Sequence, residues 1–113
     1  MDCIFCKIVA GDIPCNKVLE TDTVLAFADI NPQAPTHILI IPKEHISSIT
    51  NMTDKQANVL ADMMRVVRDI VAKNELGKNG FRIIMNEGKD GCQEVPHIHI
   101  HLIGGRQLTW PPG

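Results

Sequence analysis

Apolar residues alternate with polar residues, or form short continuous runs, in five stretches of the chain, and each stretch predicts a β-strand. In 24–29 the alternation puts Leu25 and Phe27 on one face and Val24 and Ala26 on the other. The run at 37–41 is almost continuously apolar, which favours a central strand that is covered on both faces. The five predicted strands are 17–20, 24–29, 37–41, 81–85 and 97–103.

A short helix is predicted at 3–10, where the apolar side chains fall on one face. Asp2 is a candidate N-cap because its side chain is able to accept a backbone N–H bond. Gly11 is a candidate helix end because glycine adopts the left-handed conformation without strain.

A longer helix is predicted to begin at the capping box of Thr53 and Gln56 and to end at Gly77. The short links between strands favour antiparallel pairing. We therefore expect one α+β domain over 1–113, with a mainly antiparallel five-stranded sheet, one long helix and one short helix. The long helix has apolar residues at helical spacing, at Ala57, Leu60, Ala61, Met64, Val67 and Val71.

The charge balance argues against a general grip on nucleic acid, because 11 Lys and Arg face 13 Asp and Glu in 113 residues. The first residues lack the basic and apolar regions of a secretory signal, and no apolar run is long enough to span a bilayer. We expect a cytoplasmic protein with no membrane partner. Its four cysteines are then expected to be reduced rather than paired in disulfides.

Three histidines at alternate positions, His97, His99 and His101, mark the last predicted strand. Alternate side chains of a strand share a face, roughly 6.5–7 Å apart. A metal ion with bonds of about 2 Å is therefore able to bind two neighbours but hardly all three. This spacing predicts divided roles along an extended substrate, while the residues between them, Ile98, Ile100 and Leu102, point into the core.

Neutral imidazole is a nucleophile, and its attack on phosphorus gives a covalent nucleotidyl-imidazole that water cleaves. The attacking nitrogen must be bare, so the other ring nitrogen must donate a hydrogen bond, for which a backbone carbonyl is the expected acceptor. His99 lies between two other histidines, which are placed to contact phosphate oxygens or the leaving group. A polar strand face and a transition-metal site are the simpler alternatives.

The sequence His97-Ile98-His99-Ile100-His101-Leu102-Ile103 resembles the histidine triad (HIT) family, in which histidines alternate with apolar residues. The likeness extends over nearly the whole chain. It includes 29–37, 41–45, 86–88 and 104–107, and the terminal Trp110-Pro111-Pro112-Gly113, which is similar to the Hint branch of the family.

This resemblance implies a hydrolase of purine nucleoside 5′-phosphoramidates, or of related AMP and GMP conjugates such as aminoacyl adenylates. It implies that His99 is the nucleophile, that His101 and His97 assist, and that His37 is a further active-site histidine. It also implies a homodimer in which two five-stranded sheets join into one of ten strands, with Trp110 near the partner's site.

The family pattern also assigns the nucleotide contacts. Asp29 would hold the ribose hydroxyls, and Asn86 would lie near the ribose and phosphate. Backbone N–H groups within 91–95 would cradle the phosphate. The apolar residues implied for the base pocket are Phe5, Ile8, Phe27 and Ile30, and those implied near the phosphate are Gln93, Glu94, Val95, His99 and His101.

A C-x-x-C pair, Cys3 and Cys6, looks like the pair of zinc-containing bacterial members. In those the pattern implies one Zn²⁺ held by Cys3, Cys6, His45 and His97. Such a Cys₂His₂ set is closed and therefore structural. It would clamp the N-terminal helix to the sheet and would remove His97 from the substrate. The simpler alternative is two reduced cysteines at the start of a helix.

The segment before the histidines departs from the family pattern, because Gly91-Cys92-Gln93-Glu94 stands where many Hint sequences have Gly-Gly-Gln-Ser. Glu94 thus offers an acceptor where a hydroxyl is common, and Cys92 replaces a small residue. Two other functions remain open at this point. One is a zinc-containing nucleotide-binding interaction protein with little turnover, and the other is a metalloenzyme that uses the histidine strand as its metal site.

Overall fold

Five strands form one antiparallel sheet in the order β1-β2-β3-β5-β4, as the sequence predicts for the fold class. The structure, a computed structural model, describes residues 2–113, so Met1, the first residue of the predicted domain, lies outside the described range. The strands are β1 (Lys17–Glu20), β2 (Val24–Ala28), β3 (Thr36–Pro42), β4 (Phe81–Ile84) and β5 (Ile100–Gly104).

The first helix, α1 (Ile4–Ala10), begins at Cys3, and the prediction of Asp2 as its N-cap was wrong. The Cys3 sulfur accepts the backbone N–H of Cys6 at 3.4 Å, which satisfies one of the free donors of the first turn. Gly11 ends the helix in the left-handed conformation, with φ of 85°, as predicted.

The long predicted helix is two helices, α2 (Asp54–Ala57) and α3 (Val59–Asn74), interrupted at Asn58. The capping box at the start of α2 is confirmed. Helix α3 ends before Glu75, which adopts the left-handed conformation, so the predicted end at Gly77 was wrong. Gly77 lies in the short 3₁₀ turn that follows. None of the helices within residues 2–113 has the length and apolar character needed to cross a membrane.

The buried face of α3 is rotated from the predicted one, because Met64 is exposed while its neighbour Met63 is fully buried. The face of α3 that packs on the sheet consists of Met63, Val66, Val67 and Ile70. These side chains form the larger core with Ile98, which precedes β5, and with alternate residues of the strands, namely Val24, Ala26, Ile38, Ile40, Ile100 and Leu102. The three residues between the histidines therefore lie in the core, as predicted.

A smaller core lies on the other face of the sheet, beneath α1. Its buried residues are Cys3, Phe5, Leu25, Phe27, Leu39 and Ile41. Strand β3 contributes to both cores and is the middle strand, which confirms its predicted central position. His101 pairs with Leu39 across the sheet, so His101 lies on the face that α1 covers.

Strand β5 begins at Ile100, so the predicted strand over 97–103 is too long at its start. The register pairs Ile40 with Ile100, which places Pro42 opposite Ile98. Proline has no N–H to donate, and the ladder therefore stops there. The strands predicted at 24–29 and 81–85 also extend one residue too far at their C-terminal ends. Strand β3, in contrast, is one residue longer at each end than predicted.

The segment after β5 passes very close to the loop between β2 and β3. Gly105 has φ of +91°, and a Cβ at that position would lie 2.9 Å from the Cβ of Pro35. A glycine is required there both by the backbone conformation and by the space.

We expect Gly105→Ala to destabilise the protein more than Gly80→Ala. Gly80 has a similar φ of +97° but has open space around its Cβ position. The control substitution, Gly80→Ala, should lower the free energy of unfolding by about 1 kcal/mol through backbone strain. Gly105→Ala should lower it by about 2–3 kcal/mol, because the added methyl group also meets Pro35. Urea unfolding of the two variants measures the difference, and equal losses would show that the two segments do not need to touch.

Candidate active site and metal centre

Four potential metal ligands, Cys3, Cys6, His45 and His97, meet at one end of the sheet. The cysteines lie at the start of α1, His45 follows β3, and His97 precedes β5. Their ligand atoms all lie within 4.8 Å of one another. The structure therefore brings together all four potential ligands that the family resemblance implied.

The spacing of these atoms fits a tetrahedral ion. Bonds of about 2.3 Å to sulfur and about 2.0 Å to nitrogen separate sulfur from nitrogen by about 3.5 Å and two nitrogens by about 3.3 Å. His97 Nδ1 lies 3.4 Å from Cys3 Sγ and 3.6 Å from Cys6 Sγ. His45 Nδ1 lies 3.3 Å from Cys6 Sγ and 3.2 Å from His97 Nδ1. Each separation is within about 0.2 Å of the tetrahedral value.

The His97 ring presents a bare nitrogen to this cluster. Its Nε2 donates to the Pro42 carbonyl at 2.8 Å, so the lone pair is on Nδ1, which faces the sulfurs. Burial lowers the pKa of His97 and keeps the ring neutral. Burial, followed by the adjacent Cys3 side chain, raises the pKa of Cys6, so the Cys6 thiol holds its proton unless a cation replaces it. The residues therefore fit a divalent metal ion.

His99 presents a bare nitrogen to solvent. Its Nδ1 donates to the backbone carbonyl of His97 at 2.7 Å, which confirms the predicted hydrogen bond and leaves the lone pair on Nε2. That Nε2 makes no hydrogen bond in the described part of the chain. Because every fully buried side-chain nitrogen or oxygen there does have a hydrogen-bond partner, Nε2 reaches solvent. Phe5 packs edge-on against the ring, with the centroids 5.1 Å apart.

His101 presents a proton beside that bare nitrogen. The backbone N–H of Gln33 donates to His37 Nδ1 at 3.0 Å, so the His37 proton is on Nε2, which lies 2.9 Å from His101 Nδ1. His101 Nδ1 accepts, and its own proton is therefore on Nε2. Burial, followed by the electrostatic effects of His99 and His37, lowers the pKa of His101 to about 4, although the nearby Asp29 acts in the opposite direction. The His101 ring is therefore neutral at pH 7.

The three alternate histidines therefore have different environments. Only His101 lies in β5, and the prediction that all three lie along one strand was wrong, because the ladder stops opposite Pro42. His97 is completely buried within the metal cluster, while the rings of His99 and His101 lie side by side, with centroids 4.9 Å apart. This arrangement agrees with the distance argument that one ion is unable to bind all three.

A second cluster of potential ligands, Asp29, His37 and His101, has the wrong tautomers for a metal ion. The His37 nitrogen that faces His101 and Asp29 is the protonated one, because its other nitrogen accepts from Gln33. To bind a metal there, His37 would have to move its proton from Nε2 to Nδ1. The Gln33 N–H would then point at a protonated nitrogen that is unable to accept it. The hydrogen bonds therefore argue against a metalloenzyme centre on these histidines.

Gln93 fastens the loop that precedes the histidines. Its side-chain amide donates to the carbonyls of Ser47 and Val95 and accepts the N–H of Gly88, so both of its N–H donors are engaged within the chain. The backbone N–H groups of Glu94 and Val95 make no hydrogen bond within residues 2–113. Two unpaired backbone donors thus lie five and four residues before His99 in the chain.

The other residues implied for nucleotide binding differ in exposure. Phe5 and Phe27 are buried and pack edge to face, whereas Ile30 is 98% exposed and packs against nothing in the described chain. The Glu94 side chain makes no hydrogen bond or ion pair with described residues. Ile8 and Asn86 are partly buried. The Asp29 carboxylate accepts the backbone N–H of Asn31 at 2.8 Å. Trp110 packs against the Arg82 guanidinium and has 79% of its surface exposed.

Sequence reasoning missed the backbone groups that fix the rings, namely the Pro42 carbonyl and the Gln33 N–H. Backbone groups have no residue type by which a sequence pattern would reveal them. It also missed the role of Ser47, whose carbonyl receives Gln93. A glutamine four residues before His97 was the available sign, because its amide is able to form several hydrogen bonds within a loop.

Comparisons with known proteins agree with this geometry. A family model described as the HIT domain matches residues 10–108. The chain is 48% identical over 112 residues to a 14 kDa zinc-binding protein of Zea mays, covering 97% of this chain and 87% of that relative. It is 47% identical over 112 residues to the adenylylsulfatase HINT1 of Arabidopsis thaliana, covering 97% of this chain and 76% of that relative.

Solved structures show the same fold. The structure of a HIT family hydrolase from Legionella pneumophila superposes with a TM-score of 0.95 at 48% identity, covering 99% of this chain and all of that one. The histidine triad nucleotide-binding protein of Candida albicans superposes with a TM-score of 0.83 at 35% identity, covering 99% and 85% of the two chains. The family model and both relatives span most of this sequence, and the chain therefore belongs to the HIT domain family, as a member of its Hint branch.

Proposed function

We propose that this chain hydrolyses purine nucleoside 5′-phosphoramidates and related nucleotidyl conjugates, such as aminoacyl adenylates, through a covalent nucleotidyl intermediate on His99. The single observation that carries this proposal is the 2.7 Å hydrogen bond from His99 Nδ1 to the His97 carbonyl. It leaves the Nε2 lone pair of His99 at a position that reaches solvent. The kinship with HIT family hydrolases supports hydrolysis in general, and the name of the Arabidopsis adenylylsulfatase supports a nucleotidyl substrate.

In the first step, His99 Nε2 forms a bond to the α-phosphorus as the bond to the leaving nitrogen breaks. The amine, protonated beforehand on the bridging nitrogen, departs with the electron pair of that bond. The ring then carries a positive charge, which the His97 carbonyl stabilises through the Nδ1–H. Water next attacks the phosphorus, the P–N electron pair returns to Nε2, and a nucleoside monophosphate and a proton are released.

The phosphate oxygens would be held by three donors. His101 offers its Nε2–H, and Glu94 and Val95 offer their unpaired backbone N–H groups. Preorganised donors of this kind stabilise the charge that develops on phosphoryl oxygens. The uncharged state of His101 at pH 7 makes it a hydrogen-bond donor rather than a source of a full proton.

The nucleoside would lie against α1 and the loop that follows β2. Phe5, Ile8 and Phe27 form an apolar wall, and Ile30 would close over the base from the solvent side. Asp29 would accept the ribose hydroxyls, since each carboxylate oxygen keeps lone pairs beyond its present bond. Asn86, whose side chain makes no hydrogen bond in the described chain, is available to the ribose or the phosphate.

We also propose that the metal at Cys3, Cys6, His45 and His97 is Zn²⁺. The mixed thiolate and imidazole donor set suits zinc, and a relative is named as a zinc-binding protein. All four positions of a tetrahedral ion would be filled by protein, so the ion would hold the start of α1 to the sheet. It would also fix His97, whose carbonyl orients the nucleophile.

A homodimer through the edge strand β4 is the assembly that we propose. Phe81, Ile83 and Met64 are exposed apolar side chains there, beside an apolar hollow of about 270 Å³ that Leu60 and Met85 help to line. The opposite edge, β1, carries the ion pair of Lys17 and Glu20, and charges on an edge strand oppose pairing. Two β4 edges joined about a two-fold axis would give one sheet of ten strands.

Replacement of His99 tests the catalytic proposal. His99→Ala should lower kcat/KM for an adenosine 5′-phosphoramidate by about 10³-fold or more, because the nucleophile is lost. Binding of AMP, measured by calorimetry, should persist and show that the site is folded. Rapid denaturation at alkaline pH should trap a nucleotidyl adduct on the wild-type chain only. Binding without turnover in the wild type would instead favour the nucleotide-binding interaction protein.

A pair of cysteine substitutions tests the zinc proposal. The chain purified without chelator should contain one zinc ion, which Cys6→Ser should lose, whereas Cys15→Ser should keep it because Cys15 is partly buried outside the cluster. Binding that stabilises the native state by about 3 kcal/mol implies a fall in melting temperature of about 10 °C for Cys6→Ser. Metal analysis and thermal melts measure both, and a zinc content unchanged by Cys6→Ser would refute the site.

Two lysine substitutions on opposite edges test the dimer. Ile83→Lys on β4 should give monomers, because a charge would enter the proposed interface, while Val18→Lys on β1 should stay dimeric. Both side chains are apolar, β-branched and about equally exposed, at 36% and 42%. Sedimentation equilibrium gives the masses, and a monomeric wild-type chain, or dissociation by Val18→Lys alone, would contradict the proposal.

A further inference from the structure

Arg106 reaches from the segment after β5 to the loop between β2 and β3. Its Nε and Nη2 atoms both donate to the backbone carbonyl of Gln33, at 3.2 and 3.0 Å. The two residues are 73 positions apart in sequence. Gly105, the residue before Arg106, lies close to Pro35. The guanidinium therefore lies where the segment after β5 and the loop between β2 and β3 are already in close contact.

Gln33 needs such an anchor because it lies in an exposed part of the loop. Asn31, Pro32 and Gln33 are all exposed, and the Gln33 side chain bonds only to the nearby carbonyl of Asn31. The backbone of Gln33 is therefore held by the bond from its N–H to the buried His37 ring, by the buried neighbour Ala34, and by the two bonds from Arg106 to its carbonyl. Two parallel donors from one guanidinium hold a single carbonyl in a defined place, which an isolated loop of this kind lacks.

The direction of the Gln33 backbone matters because its N–H donates to His37 Nδ1. If this N–H turned away, His37 would be free to carry its proton on Nδ1 and to turn a bare Nε2 towards His101. His101 would then place its own proton on Nδ1 to donate to His37, and its Nε2 would become bare. A lone pair would face the phosphate where a donor is required.

We propose that Arg106 is a positioning residue that fixes the tautomers of His37 and His101 by clamping the backbone of Gln33. The relay runs from Arg106 to the Gln33 carbonyl, from the Gln33 N–H to His37, and from His37 to His101. Its importance for turnover rests on the proposed function, whereas the tautomers themselves do not. Asp29 Oδ2 lies 3.4 Å from His37 Nε2 and favours the same tautomer, so loss of the clamp weakens the relay without abolishing it.

Long-range ¹H–¹⁵N spectra of the imidazole rings test the proposal directly, because protonated and bare ring nitrogens have well-separated ¹⁵N shifts. In the wild-type chain His37 and His101 should each show a bare Nδ1 and a protonated Nε2. In Arg106→Met these shifts should move towards each other as both tautomers become populated. In Arg106→Lys, which keeps one donor for the Gln33 carbonyl, they should return most of the way.

The matched control is Arg82→Met. Arg82 also donates to a backbone carbonyl, that of Thr109 at 2.9 Å, and lies over Trp110, but it does not contact Gln33. It should leave both ring tautomers unchanged. Unchanged tautomers in Arg106→Met, or equal changes in Arg82→Met, would overturn the proposal, since the second result would reflect general loosening of the C-terminal segment.

Turnover supplies the functional readout. Arg106→Met should lower kcat for the phosphoramidate about tenfold with little change in KM, because the donor to the phosphate is misplaced rather than lost, and Arg106→Lys should recover most of it. A wild-type chain that shows the expected tautomers but no turnover would refute the proposed function alone. Turnover in Arg106→Met equal to that of the wild type would remove the relay from catalysis even if the tautomers changed.

Discussion

The chemistry of this site depends on backbone groups that decide which nitrogen of each imidazole ring carries the proton. The Pro42 carbonyl accepts a hydrogen bond from Nε2–H of His97, and the His97 carbonyl accepts one from Nδ1–H of His99. The two rings are thus fixed in opposite tautomers although they are only two residues apart. One lone pair faces the sulfurs and the other faces solvent, so a single residue type supplies a potential metal ligand and the proposed nucleophile.

His97 connects these two functions. Its side chain belongs to the cluster of potential metal ligands and its carbonyl accepts the Nδ1–H of His99, so a displacement of the His97 ring reaches His99 through one residue's backbone. The cluster also includes His45, two positions before Ser47, whose carbonyl accepts from Gln93. A structural ion at this position would therefore stabilise both the orientation of the proposed nucleophile and the loop that Gln93 holds, without touching the substrate.

The apolar pattern predicted the fold class, because the fold class depends on side-chain type and spacing, whereas the residues of the metal cluster were implied by the family resemblance. The apolar pattern identified all five strands, and Ile98, Ile100 and Leu102 lie in the core as expected. What it could not predict depends on backbone contacts between distant segments. The early stop of β5 follows from Pro42, which is opposite Ile98 only once the register of β3 and β5 is known. The contact set of Gln93 depends likewise on where Ser47 lies.

The two clusters of potential metal ligands show why proximity alone does not identify a metal site. In both clusters the ligand atoms lie within 4.8 Å of one another. At His97 a carbonyl fixes the ring proton away from the cluster, whereas at His37 a backbone N–H forces the ring proton into it. The first arrangement leaves a lone pair for a cation, whereas in the second the His37 proton is donated to His101 Nδ1 and leaves His101 Nε2 as a donor for an anion. The polarity of one backbone group thus separates a centre suited to zinc from one suited to a phosphate.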